Sequence, residues 1–228
     1  MANDFFSFRQ FTVRQDRCAM KVGTDGVLLG AWANGGNRVL DIGTGTGLIA
    51  LMMAQRFPSC SVKAIDIEHN ACVQARQNVD SSPFIDRISV EEQSIQSLES
   101  AAPLFDSIVC KPPFFKDSLL GPDEQRNMAR HSGSMTYRDL FDGVVRLLAQ
   151  DGEFSAVIPY DFQGDFNAEA IFHGMFPSRI CAVRTTPRKP PKRCLLAFRK
   201  LPSVEVESRE LVIGSEDYQE LVKDFYIW

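Results

Sequence analysis

The 228-residue sequence contains no apolar run near the roughly 18 residues needed to cross a bilayer, which excludes a membrane-spanning helix. Its first residues, MANDFFSFRQF, lack a basic stretch followed by a long apolar one. No secretory signal is read there, and the chain is expected to stay in the cytoplasm. The six cysteines, at positions 18, 60, 72, 110, 181 and 194, form no CxxC pair and have no histidine at metal spacing. Reduced, mostly buried thiols and no metal site are expected. An excess of positive charge is missing too: 25 basic against 29 acidic residues leave a net charge of −4. Without a global basic field, any nucleic-acid binding must rest on local patches. Internal repeats and low-complexity linkers are also absent.

What is present is globular: 44% hydrophobic and 24% charged residues exclude disordered and collagen-like chains. At roughly 150 residues per domain, the length favours one α/β domain with additions over two independent domains. Apolar runs alternate with helical patterns, which predicts a mostly parallel sheet covered by helices on both faces. Strands are expected near Arg38–Ile42, Val62–Ile67, Arg87–Val90, Asp106–Cys110, Glu153–Pro159, Ile180–Thr185 and Cys194–Arg199. Helices are expected near Gly26–Ala33, Gly47–Arg56, Asn70–Val79, Tyr137–Ala149, Gln163–Met175 and Ser215–Tyr226. Their stops are physical: Pro58, then Asp80-Ser81-Ser82-Pro83, then Asp151-Gly152. The least regular stretch is Lys111–Thr136, and a loop that long in a compact domain is usually functional. Residues 1–36 read as an entrance segment and 37–228 as the core with a C-terminal helix.

The segment VLDIGTGTGLIALMMAQR passes from a strand through Gly43, Gly45 and Gly47 into a helix, so backbone can approach a ligand closely there. Gly45, Gly47 and Ala50 even satisfy the relaxed dinucleotide pattern GxGxxA. Two carboxylates separate the possible ligands. Asp41 stands just before the loop, where it would repel a pyrophosphate but suits an ammonium. Asp66 ends the next strand, 25 positions on, where an acid can accept from both hydroxyls of a ribose. Both ligand classes use the second acid, and only a cationic, zwitterionic cofactor accounts for the first.

Together these residues resemble the cofactor half of class I S-adenosylmethionine-dependent methyltransferases, whose pattern is DxGxGxG followed by an acid at the end of the second strand. The resemblance implies a Rossmann-like seven-stranded sheet with its last strand antiparallel. It also implies S-adenosylmethionine as cofactor and S-adenosylhomocysteine as product. Asp41, Gly43, Gly45, Gly47, Asp66 and Ile67 are then expected to hold the cofactor, with Cys110 beside it. Gln93 and Ser94 stand where that family contacts the adenine. Ser94 replaces the usual aspartate and is a weaker acceptor.

The fourth strand runs into CKPPFF. Family members that methylate an exocyclic or amide nitrogen carry Asn or Asp, then Pro-Pro, then an aromatic. The amine needs two acceptors, a side-chain oxygen and the first proline's carbonyl. The prolines remove competing N–H donors, and the aromatic ring stacks on the flat substrate. Pro112, Pro113 and Phe114 match this pattern. Lys111 does not, because a charged lysine has three donors and no acceptor. An ammonium about 4 Å from a sulfonium would cost roughly 4 kcal/mol at an effective dielectric near 20. Three outcomes follow: Lys111 turns its head to solvent, burial holds it neutral, or the protein binds its ligands and transfers methyl groups poorly.

The entrance stretch MKVGTDGVLLGAW is similar to the N-terminal signature of bacterial methyltransferases acting on N6 of adenine-37 in a valine tRNA. So are QRNMARH at 125–131, PRKPPKRCLLAF at 187–198 and the C-terminal SEDYQELVKDFYIW. The resemblance covers essentially the whole chain. It implies that Lys21, Thr24 and Asp25 line the cofactor and that tRNA is the partner, with no obligate protein partner and a monomeric chain. Arg126 and Arg130 lie four apart and read either as a phosphate clamp or as a solvated helix face. His131 reads as structural. The run Arg184, Arg188, Lys189, Lys192, Arg193 reads as an RNA-backbone footprint. Three other readings stay open: a relative acting on a protein glutamine or a ribosomal guanine, a cofactor-binding RNA-binding protein without turnover, and a dinucleotide oxidoreductase.

Overall fold

The computed structural model describes residues 3–18, 21–99, 104–113 and 135–227. A short hairpin comes first, β1 (Phe5–Ser7) paired antiparallel with β2 (Thr12–Arg14), followed by α1 (Thr24–Trp32). The chain then alternates through β3 (Arg38–Ile42), α2 (Leu48–Arg56), β4 (Ser61–Asp66), α3 (His69–Asp80) and β5 (Ile88–Glu92). The second half runs β6 (Phe105–Cys110), α4 (Tyr137–Leu147), β7 (Leu148–Pro159), α5 (Gln163–Phe172) and β8 (Phe176–Arg184). It closes with β9 (Arg193–Arg199), β10 (Glu207–Val212) and α6 (Glu216–Val222).

These strands form an eight-stranded sheet in the order β10-β8-β9-β7-β6-β3-β4-β5. Only β9 runs antiparallel to its neighbours. Seven of the eight lie at the expected positions, and the antiparallel strand is the last of those seven. The eighth, β10, was not anticipated. Its residues Glu207–Glu210 are all exposed, so it lacks the apolar alternation that marks a strand, and it pairs on one side only, with β8. The β1–β2 hairpin was missed because three-residue strands carry too little periodicity. Asp151-Gly152, read as a break between helix and strand, instead lies inside the irregular start of β7. There the pairing with β6 shifts register between Phe105 and Ser107.

Side-chain alternation along the central strands sorts the core into two layers. Leu40, Ile42, Ile65 and Ile108 face the layer built on α4 and α5, where Phe141, Phe154, Phe166 and Phe198 meet ring to ring. Val39, Val62, Ala64 and Val109 face the other layer, with α1, α2 and the hairpin's Phe8, Phe11 and Val13. Asp41 falls between Leu40 and Ile42, so alternation turns it toward the α2 side. Helix α4 starts on a capping box: Thr136 Oγ1 accepts from Asp139 N at 3.1 Å, and Asp139 Oδ2 accepts from Thr136 N at 3.1 Å.

Two buried polar residues on α3 strap the entrance segment onto the core. Asn78 Oδ1 accepts from Arg14 N at 2.8 Å, and Nδ2 donates to Arg14 O at 2.9 Å and to Thr46 O at 2.8 Å. Gln74 Oε1 accepts from Arg17 N at 2.9 Å. One amide therefore holds both the hairpin and the glycine loop. Replacing Asn78 by Ala should cost about 2–4 kcal/mol in urea unfolding, since several buried groups lose their partner at once. Hydrogen exchange should quicken in residues 12–18 while the β3–β6 pairing keeps its protection.

Candidate active site

A cleft of about 1250 Å³ opens at the C-terminal ends of β3, β4 and β6, walled by the glycine loop, α1 and the start of β9. The loop is built from backbone. Gly43, Gly45 and Gly47 have φ of +69°, +55° and +81°, a region that side chains with a Cβ rarely enter. Gly43 N and Thr44 N both donate to Ile65 O, at 2.9 and 3.0 Å. Gly47 N turns back to Thr44 O at 2.9 Å.

Asp41 sits under this loop and is fully buried. Its Oδ2 accepts from Thr44 Oγ1 at 2.6 Å and from Ala50 N at 3.2 Å. Its Oδ1, equally buried, has no hydrogen-bond partner among the described residues. Burial pushes the carboxyl up from 3.8 to about 7, against the lowering effect of those two donors. The acid expected on the cleft wall thus lies one layer beneath it. Asp66 is at the wall itself, half-buried, with Oδ2 accepting from Gly45 N at 2.8 Å and Oδ1 from Glu68 N at 3.0 Å.

Most other expected residues converge on the same cleft: Lys21, Thr24, Asp25, Ile67, Gln93, Ser94, Lys111 and Pro113. Gln93 Nε2 donates to Ser97 O at 3.2 Å, and Ser94 Oγ bonds Ser97 Oγ at 3.0 Å. Three expected residues do not reach the wall. Gly47 packs toward Ala75 of α3. Cys110 is buried against the α4 layer, where burial raises its thiol well above the ordinary range. Pro112 is also buried, between the two residues that do reach the wall. Phe114, Arg126, Arg130 and His131 lie outside the described residues.

The basic run divides. Arg193 Nε lies 2.8 Å from both oxygens of Asp25, and Arg184 chelates Glu210 at 2.8 and 3.1 Å. Arg188, Lys189 and Lys192 are exposed between β8 and β9, with Lys192 on the cleft wall. Sequence reasoning missed Thr44, whose signal was its place three residues after Asp41 in the turn. It also missed Cys18, Ile95, Met135 and Thr185, which line the cleft without any motif.

A family model described as methyltransferase small domain matches residues 22–173. The chain is similar along its whole length to the tRNA1(Val) (adenine(37)-N6)-methyltransferase of Bacteroides thetaiotaomicron, at 46% identity over 238 residues covering 100% of this chain and 99% of that protein. Its counterpart of the same name from Phocaeicola vulgatus is 48% identical, again covering 100% and 99%. Among solved structures, a predicted O-methyltransferase from Agrobacterium tumefaciens superposes with a TM-score of 0.65 at 17% identity, covering 88% of this chain and 96% of that one. That likeness establishes a shared fold.

The buried carboxyl has a consequence for stability. An acid whose folded pKa is raised, here from 3.8 to about 7, holds its proton more tightly in the folded state. Folding stability is therefore lost as pH climbs from about 4 to about 7 and is flat above. Replacing Asp41 by Asn should stabilise the cofactor-free protein at about pH 8, by up to roughly 4 kcal/mol at 1.4 kcal/mol per pH unit. The gain should vanish near pH 4. Thermal melts across that range check it.

Proposed function

The chain belongs to the methyltransferase small domain family, and from that premise we propose that it methylates the N6 amine of adenine 37 in the anticodon loop of a valine tRNA. Full-length identity of 46% and 48% to proteins named for that reaction carries the reading. S-adenosylmethionine, when bound, supplies a methyl group on a cationic sulfur and leaves as S-adenosylhomocysteine. The residues present fit that group. Asp41 keeps a buried Oδ1 without a described partner, and a cation above the loop favours its ionised form. Three glycines keep Cβ atoms out of the turn. Asp66, acceptor-only when ionised, fits ribose hydroxyls. Gln93 offers its Oε1 to the adenine amine, and Ile67, 55% exposed, offers an apolar face to the ring.

On the substrate side, Pro112 supplies a carbonyl and no N–H, and Phe114 follows it in sequence as the stacking residue. Arg188, Lys189 and Lys192 are the exposed cations that fit an RNA backbone. Arg193, already paired with Asp25, instead ties α1 to β9 at the mouth of the cleft. The protein is proposed to act alone, without an obligate partner.

Incubating the protein with labelled cofactor and tRNA lacking the modification, then analysing nucleosides, tests the reaction. Label in N6-methyladenosine is expected; label in a guanine, or none, would refute it. The double change Arg188→Glu and Lys189→Glu should weaken tRNA binding and lower the slope of log affinity against log salt by about two. Unchanged binding would place the RNA on another face. Cofactor affinity should rise with pH up to about 7, as Asp41 ionises, and this dependence should be absent in Asp41→Asn.

A further inference from the structure

The position after β6 carries a lysine where the resemblance to nitrogen-methylating enzymes leads one to expect a side-chain oxygen. Lys111 lines the cleft together with Pro113, Met135, Lys192 and Arg193, half-buried rather than turned fully to solvent. Among the described residues, the charged and titratable groups around it are Asp25 from α1, Arg193 from β9, Cys110 from β6 and Cys18 from the entrance segment. Asp25 is itself paired, because Arg193 Nε grips both its oxygens at 2.8 Å. Burial lowers the pKa of Lys111, and Asp25 opposes that shift only in part.

Two carboxylates on the described wall, Asp25 and Asp66, are already engaged. Asp25 holds Arg193, and Asp66 holds Gly45 N and Glu68 N. No histidine lines the cleft among the described residues. A neutral lysine amine, unlike an ammonium, has a lone pair and can accept one hydrogen bond.

We infer that Lys111 acts as an uncharged amine that accepts a hydrogen bond, and then the proton, from the target nitrogen, taking the place of the usual side-chain oxygen. The inference rests on the reaction proposed above. As the nitrogen–methyl bond forms and the sulfur–methyl bond breaks, the nitrogen gains a positive charge. It sheds that charge by passing one proton to Lys111 Nζ. One cation is present before and after: the sulfonium is replaced by a lysine ammonium beside Asp25, which then releases its proton to water.

The test compares single-turnover rates on unmodified tRNA at saturating cofactor for the wild type, Lys111→Asn and Lys111→Met, between about pH 6 and about pH 9. The wild-type rate should rise about tenfold per pH unit along its acid limb and then level off. Lys111→Asn, a permanent acceptor, should be at least about tenfold faster than the wild type near pH 6 and about equal near pH 9. Lys111→Met, which accepts nothing, should be roughly a hundredfold slower than the wild type near pH 9. Any titration of Asp41 is common to all three proteins, so the difference between profiles isolates Lys111. A readout independent of activity is the acetylation rate of Lys111 against pH in the cofactor-free protein, followed by peptide mass spectrometry. Its midpoint should fall below the ordinary lysine value of about 10.4 and match the kinetic limb.

Superimposable wild-type and Lys111→Asn profiles, full activity in Lys111→Met, or an ordinary acetylation midpoint would each overturn the inference. Transfer by Lys111→Asn alone would overturn it and leave the proposed reaction standing. No transfer to adenine by either protein would remove both.

Discussion

A carboxyl group sealed beneath a glycine turn is the constraint on which this molecule is organised. Asp41 reaches its position because β3 alternates, sending Leu40 and Ile42 to one layer and Asp41 to the other. The loop above it is held in shape by Thr44 and Ala50 on one of its oxygens. The other oxygen is desolvated and has no partner among the described residues, an arrangement with an energetic cost that folding alone gives no reason to tolerate. Such a cost fits the proposed site, which a cation would complete.

That loop does not stand alone. Through Thr46 O it shares the side-chain amide of Asn78 with the hairpin that opens the chain. The entrance segment supplies Cys18, Lys21 and Val22 to the cleft, so this wall and the glycine loop are both tied to α3 through Gln74 and Asn78. The far wall is fixed separately, by Arg193 reaching across to Asp25. Entrance segment, glycine loop and sheet are thus mechanically linked, although the contacts are distant in sequence.

Much of this was legible in advance, for identifiable reasons. The central strands are buried on both faces and read as continuous apolar runs, and the glycines and Asp66 announce themselves by spacing. Depth was not legible. Nothing in VLDIG says that Asp41 lies under the loop while Asp66 lies on its rim, because that depends on which way each strand end turns. Nor could spacing show that two arginines of a basic run are neutralised by Asp25 and Glu210, partners far away in the chain. Gln74 and Asn78 look like ordinary polar helix positions until the hairpin lies across them. β10 escaped notice because an edge strand with an exposed face needs no apolar pattern.

That last strand has a use of its own. A sheet whose border is open can recruit a further strand from a neighbouring molecule and grow without limit. Here the border opens with Glu207-Ser208-Arg209-Glu210, all facing water, before Leu211 turns into the core. Any second copy aligning along it must bring charge against charge and strip both of solvent, so the margin that closes the sheet also discourages polymerisation of the protein in a crowded cell.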